Sequence, residues 1–123
     1  MAATANPSVV KESMPNISLT ALARAQLELA THATSGRSAH TVFGGHEHAL
    51  RQTLIALTAG TKLDDHSNPG DATVYVLHGR VRLEAGGTNW EGASGHLIDV
   101  PDSTHSLLAL EDAVILLTVV NRI

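Results

Sequence analysis

The sequence predicts an all-β domain, an antiparallel sandwich or barrel, with one α-helix ahead of it. Its 123 residues suffice for one domain with a single hydrophobic core. From Thr41 onward, short runs of apolar and β-branched residues are interrupted by glycines, a pattern typical of antiparallel strands joined by tight turns. Cysteine is absent, which excludes a disulfide framework, a thiolate zinc site and a cysteine nucleophile.

The composition at the N-terminus differs from that of the remaining chain. Residues 1–16 are rich in Ala, Ser and Asn and contain Pro7 and Pro15, so we expect a flexible tail. We expect a helix and a connection over residues 17–39, followed by the barrel over residues 40–123.

The first regular element is a predicted helix over residues 19–31. Ser18 or Thr20 is expected to cap its N-terminus, and Gly36 is expected to end it. An apolar stripe at helical spacing should pack on the barrel or on a partner chain; it comprises Leu19, Leu22, Gln26 and Leu29.

Strands follow, separated by turn residues. Gly86-Gly87 lies between two strand-like runs, where a two-residue hairpin turn requires positive φ. The last run, 113–121, is apolar without alternation, so we expect the barrel core to cover one face and a helix or second subunit to cover the other. The predicted strands are 40–43, 46–58, 73–78, 80–85, 88–90, 96–100, 104–109 and 113–121.

Composition narrows the range of partners. Twelve acidic and eight basic side chains are scattered without a block of either sign, giving a net charge of -4, so nucleic acid is not expected as a partner. No run is long and apolar enough to predict a membrane span, and no basic start precedes an apolar stretch, so we predict a cytoplasmic protein. Histidine, by contrast, occurs eight times.

Residues 40–121 resemble a small single-domain cupin of the RmlC-like, cupin-2 type. Two motifs carry the resemblance, each with a glycine before a strand and a histidine beyond it. The matching positions are Gly60, His66 and Gly79 in the first motif, and Gly95, Pro101 and His105 in the second. The resemblance implies a double-stranded β-helix, or jelly-roll barrel, whose cavity holds a divalent metal and a small molecule.

The chain departs from the family pattern at several positions. Asn68 stands where the first motif has its second histidine, and Ala72 stands where it has glutamate. In the second motif Ser103 replaces glycine, the histidine comes one residue early, and Ala109 occupies the position of an asparagine.

Two histidines are the predicted centre of a metal site. A barrel could bring His66 and His105 together, and their neutral imidazoles would hold Fe, Mn, Ni or Zn. A catalytic metal commonly has three protein ligands, and His48 is the leading candidate for the third because the predicted strand 46–58 carries it.

Three further residues are predicted to contact a bound small molecule. Arg51 and Gln52 alternate along one predicted strand, so only one of the two is expected to reach the cavity. An inward Arg51 would bind a carboxylate or phosphate. An inward Gln52 would bind a metal or a water molecule on it. Asn68 occupies the position of a metal-binding histidine in the family motif.

Three functional classes are compatible with the sequence. The first is a metal-dependent enzyme, for which the resemblance implies a dioxygenase, isomerase or decarboxylase. The second is a ligand-binding module or sensor without metal, and the third is a barrel without a ligand. In each case we expect a homodimer that uses residues 113–121 and the helix.

Overall fold

The computed structural model describes residues 16–66 and 70–121, with the backbone alone at positions 65, 66 and 121. This part of the chain contains one α-helix and nine β-strands. The helix, α1, is too short and too polar to cross a membrane, and no other helix occurs in the described ranges. The elements are α1 (Leu19–His32), β1 (Arg37–Phe43), β2 (Leu50–Leu57), β3 (Lys62–His66), β4 (Gly70–His78), β5 (Arg80–Ala85), β6 (Thr88–Ala93), β7 (Leu97–Asp99), β8 (His105–Ala109) and β9 (Ala113–Asn121).

Every strand pairing in the described part is antiparallel, and the strands form two sheets. Sheet A has the order β1-β2-β9-β4-β7, and sheet B has the order β3-β8-β5-β6. Six connections pass from one sheet to the other, as in a jelly roll: β2 to β3, β3 to β4, β4 to β5, β6 to β7, β7 to β8 and β8 to β9. The predicted all-β, jelly-roll architecture with one N-terminal helix is confirmed.

Two apolar clusters hold these layers together. The inner cluster fills the space between the sheets and takes Ile55 and Leu57 from β2 and Ile115 from β9. The outer cluster lies between sheet A and α1 and takes Leu54 and Val114 from the same two strands. Strand β9 is thus covered by the barrel core on one face and by α1 on the other, as its apolar sequence predicts.

Helix α1 begins at Leu19, as predicted, and ends at His32, one residue beyond the predicted range of 19–31. The Ser18 hydroxyl accepts a hydrogen bond from the amide of Ala21 at 3.1 Å, which identifies Ser18 as the N-cap. The helix ends at His32 because Ala33 adopts an extended conformation, so the prediction that Gly36 ends it was wrong. Gln26 and Ala30 are buried against the sheet, whereas Leu29 is 56% exposed. At the C-terminal end of the predicted stripe, the buried residue is therefore Ala30 and not Leu29.

Two strand predictions agree with the structure over their full length. Strand 80–85 agrees with β5, and strand 113–121 agrees with β9. Gly86 and Gly87 after β5 both have positive φ, as the predicted hairpin requires. The prediction of a strand over 46–58 was wrong at its start, because residues 46–49 form a turn and bend before β2.

Candidate functional site

His105 is the one polar residue among the side chains that line the interior cavity of the described barrel. It is 4% exposed and lies at the first position of β8, at the end of sheet B where the Gly86-Gly87 turn also lies. The cavity has a volume of ≈ 20 Å³, which is room for about one water molecule. Its remaining lining is apolar and consists of Leu63, Val74, Leu83, Val100, Leu107, Ile115 and Leu117.

A backbone contact fixes the orientation of the His105 ring. The ring atom Nδ1 lies 2.8 Å from the carbonyl oxygen of Ser103, and a carbonyl can only accept. Nδ1 therefore carries the hydrogen, and in the neutral ring Nε2 carries the lone pair that binds a metal or accepts a hydrogen bond. In the sequence, Ser103 is notable only because it stands where the family motif has glycine. Its position two residues before a histidine that begins a strand was the feature that could have predicted this contact.

The second predicted histidine belongs to a strand that the sequence did not reveal. Residues 62–66 form β3 at the edge of sheet B, and the register places residue 66 directly opposite His105. Leu63 pairs with Leu107, so β3 contains one residue more than β8 between these two pairs. This bulge brings His66, and not Asp65, opposite His105.

Positions 72 and 109 are occupied by buried alanines. Ala72 is 5% exposed and Ala109 is 1% exposed, and both belong to the inner cluster. The neighbouring carboxylate Asp71 is exposed, as its alternation with Ala72 predicts. The residues that the structure describes contain no group of three histidine, aspartate or glutamate side chains able to hold a metal ion.

The faces of β2 distinguish the two alternatives predicted for this strand. Ile55 and Leu57 belong to the inner cluster, and by the two-residue period of a strand Arg51 shares their face. Gln52 lies on the opposite face, where its amide donates to the Thr118 hydroxyl at 3.2 Å. Arg51, which is exposed, is therefore the member of the pair on the cavity side of β2, and the alternative of an inward Gln52 was wrong.

Arg51 lies one row away from the residues of sheet A that line the cavity. It is opposite Val119 in the ladder between β2 and β9, and Val119 is in turn opposite Ala72. These three residues form one row across sheet A, next to the row of Leu117 and Val74 that lines the cavity.

His48 lies outside the strand that was predicted to carry it. It is exposed in the turn before β2, its amide donates to the carbonyl of Gly45 at 3.2 Å, and its ring packs against Phe43 at a centroid distance of 5.1 Å. The prediction that the strand over residues 46–58 carries His48 was wrong, because the strand begins at Leu50. Asn68 lies outside the described residues.

The comparisons with known proteins identify the fold. No family model matches the sequence, and no curated protein matches it. Solved structures do match. A conserved protein of unknown function from Streptococcus pyogenes is 28% identical with a TM-score of 0.67, over 74% of this chain and 79% of that protein. An RmlC-like cupin from Desulfovibrio desulfuricans is 20% identical with a TM-score of 0.60, over 68% and 81% of the two chains.

One similar structure contains more than this domain. A transcriptional regulator of the HTH_3 family from Vibrio cholerae is 22% identical with a TM-score of 0.61, and the match covers 71% of this chain but 52% of the regulator. At this identity the likeness shows a shared fold alone.

Proposed function

From the premise that this chain is a small cupin domain of the RmlC-like type, we propose that it binds a small molecule at the His105 end of its barrel, through a divalent metal held by His105 and His66. The observation that carries the proposal is the buried imidazole of His105, which is the one polar group among the described side chains that line the cavity, with its tautomer set by the carbonyl of Ser103. The register of β3 on β8 supports the assignment of His66, because opposite residues of an antiparallel pair have Cβ atoms about 5 Å apart.

The donor set fits a metal held by two imidazoles and does not fit the usual three-ligand site. Ala72 and Ala109 contribute no ligand atom, and the described residues contain no group of three. Two neutral imidazoles suit Fe, Mn, Ni or Zn, and the remaining coordination positions would be left to water or to the bound molecule. When bound, such an ion supplies Lewis acidity that polarises an oxygen of its ligand.

We propose an anionic small molecule as the ligand. No carboxylate is assigned to the metal, so its positive charge would favour an anion. Arg51, on the cavity side of β2 and one row from the cavity lining, has the planar guanidinium that binds a carboxylate through two hydrogen bonds. The roles predicted for His48 and Asn68 stay predictions, and the exposed position of His48 against Phe43 offers no support for its role.

The proposal is tested by metal content. Tag-free protein purified without chelators is analysed by inductively coupled plasma mass spectrometry, beside the variants His105→Ala, His66→Ala and, as a matched control, His78→Ala, which removes an exposed imidazole. We expect metal in the wild type and the control and its loss in the other two variants. A wild type without metal, even after incubation with nickel, iron, zinc and manganese, would contradict the metal proposal.

A second candidate is a metal-free binding module or sensor. The apolar lining and the alanines at positions 72 and 109 favour it, because they supply no ligand atom to an ion; the cavity of ≈ 20 Å³ would have to widen to admit an organic ligand. A thermal-shift screen of small carboxylic acids with chelator-treated protein separates the two candidates: a ligand-induced rise in Tm without metal supports the module. The predicted pairing of two copies and the predicted cytoplasmic location belong to both candidates.

A further inference from the structure

A cleft separate from the barrel cavity lies between α1 and the outer face of sheet A. Residues of α1, β4 and β9 line it, and its volume is ≈ 270 Å³, against ≈ 20 Å³ for the cavity at His105. Sites for small molecules begin at about 300 Å³, so the cleft is close to the lower limit of that range. Because sheet A lies between the two spaces, a molecule in the cleft would not touch His105.

The floor of the cleft is apolar. Ala23 and Leu27 of α1 line it together with Leu77 of β4 and Val114 of β9, and all four residues belong to the outer cluster. Val114 is buried, whereas the other three are partly buried. The outer cluster is thus open to solvent at this point, and the apolar part of a ligand would complete it.

Two nitrogen-bearing side chains accompany this apolar floor. Arg24 of α1 and His78 of β4 both line the cleft and are both exposed. No aspartate or glutamate occurs among the described residues of the lining, and Arg24 has no part in the ion pairs that the described residues form. A guanidinium is always charged and binds a carboxylate through two hydrogen bonds. The cleft is therefore complementary to a molecule with an apolar body and one anionic group.

The helix limits the length of that apolar body. Its lining residues follow one another at intervals of three or four from Thr20 to Leu27, and so lie on one face of α1. At about 1.5 Å per residue, this stretch is roughly 10 Å long. A hydrocarbon chain of medium length fits such a stretch, whereas the chain of a long fatty acid would extend beyond it.

We propose that this cleft binds a medium-chain carboxylate, with the hydrocarbon chain on the apolar floor and the carboxylate at Arg24 and His78. The site goes beyond the function proposed above: it lies on the other face of sheet A from His105 and requires no metal.

Isothermal titration calorimetry of octanoate into the full chain, with a chelator present, tests the site. We expect one molecule to bind per chain, and Arg24→Gln to raise Kd at least about tenfold because it removes the charge that faces the carboxylate. Arg37→Gln is the matched control, since Arg37 is exposed on β1 outside the cleft, and it should keep the wild-type Kd. His105→Ala should also keep it. No saturable binding to the wild type would overturn the proposal, as would a Kd that depends on His105 and not on Arg24.

Two related ligands test the two halves of the site. Octanamide has the same chain without the charge, and acetate has the charge without the chain, so each should bind at least about tenfold more weakly than octanoate. Octanamide that binds as tightly as octanoate would overturn the role of Arg24, and acetate that does so would overturn the role of the apolar floor. Circular dichroism of each variant checks that a loss of binding does not reflect unfolding.

Discussion

His66 and His105 lie directly opposite each other in the β3–β8 ladder, because β3 contains one extra residue between Leu63 and His66. Without that bulge, the alternation of the strands would bring the aspartate at position 65 opposite His105. The backbone register therefore places residue 66, and not residue 65, opposite His105. The proposed pair of imidazoles would leave the full charge of a divalent ion to be neutralised by whatever binds next to it.

Replacement of His105 by leucine should separate its binding role from its structural role. The cavity is otherwise apolar and Ser103 is exposed, so its carbonyl can bond to water once the ring is gone. We expect His105→Leu to change the free energy of unfolding by no more than about 1 kcal/mol while abolishing metal binding. Urea denaturation measures the first effect, with Leu107→Ala as a control that should cost about 2–5 kcal/mol. A loss comparable to that control would show that His105 is chiefly structural.

Ala72→Glu should create a third metal ligand. Ala72 faces the inner cluster, so the new carboxylate would be buried without a partner in metal-free protein and should lower the free energy of unfolding by about 2 kcal/mol or more. Nickel or zinc should recover that loss, because a ligand that binds only the folded state stabilises it. Differential scanning fluorimetry with and without metal measures this, beside Ala72→Gln as an uncharged control of similar size. Equal Tm values of Ala72→Glu with and without metal would place position 72 away from the site.

Gly79 should tolerate no side chain. Its φ is 81°, and a Cβ there would collide with the carbonyl oxygen of Asp112 and approach the Cα of Ala113 to 2.9 Å. Gly79→Ala should lower the free energy of unfolding by more than about 2 kcal/mol. Gly86→Ala is the matched control, since Gly86 also has positive φ but has open space around it, and it should cost about 1 kcal/mol. Thermal denaturation of both variants measures the two losses of stability. The Gly86 variant has backbone strain alone, and the Gly79 variant has backbone strain and a steric collision.

Loss of the N-cap of α1 should lower the free energy of unfolding by less than Gly79→Ala does. Ser18→Ala removes the hydroxyl that accepts from the amide of Ala21 and should cost about 1 kcal/mol. Thr20→Ala, at the other predicted cap position, lies inside the helix and should be nearly neutral. If Thr20→Ala were the more damaging change, the helix would begin later in solution.

The glycine-bounded strands could be predicted from the sequence, whereas an edge strand with polar residues could not. Strand β3 reads Lys-Leu-Asp-Asp-His and has one apolar side chain, so its composition resembles that of a loop. As the edge of sheet B it pairs on one side only, and edge strands commonly carry charges that discourage aggregation.

The residues of the site were harder to predict, because their role depends on the strand face on which each side chain lies. In β2 four consecutive residues, 54–57, are buried, two in each cluster, and such a run hides the alternation that would have assigned Arg51 and Gln52. The position of His48 depends on where β2 begins, and the turn at residues 46–49 left no apolar signal to mark it.

The central place of β9 in sheet A has a consequence for the order of folding. Strand β9 is the last described strand of the chain, yet it joins β2 to β4. Until it has been synthesised, sheet A consists of two separate pairs, β1 with β2 and β4 with β7, and both clusters lack the residues that β9 contributes. Contacts between such distant parts of a chain form slowly. On the ribosome the domain would therefore stay incomplete, and open to aggregation, until β9 emerges and closes the sheet in one late step.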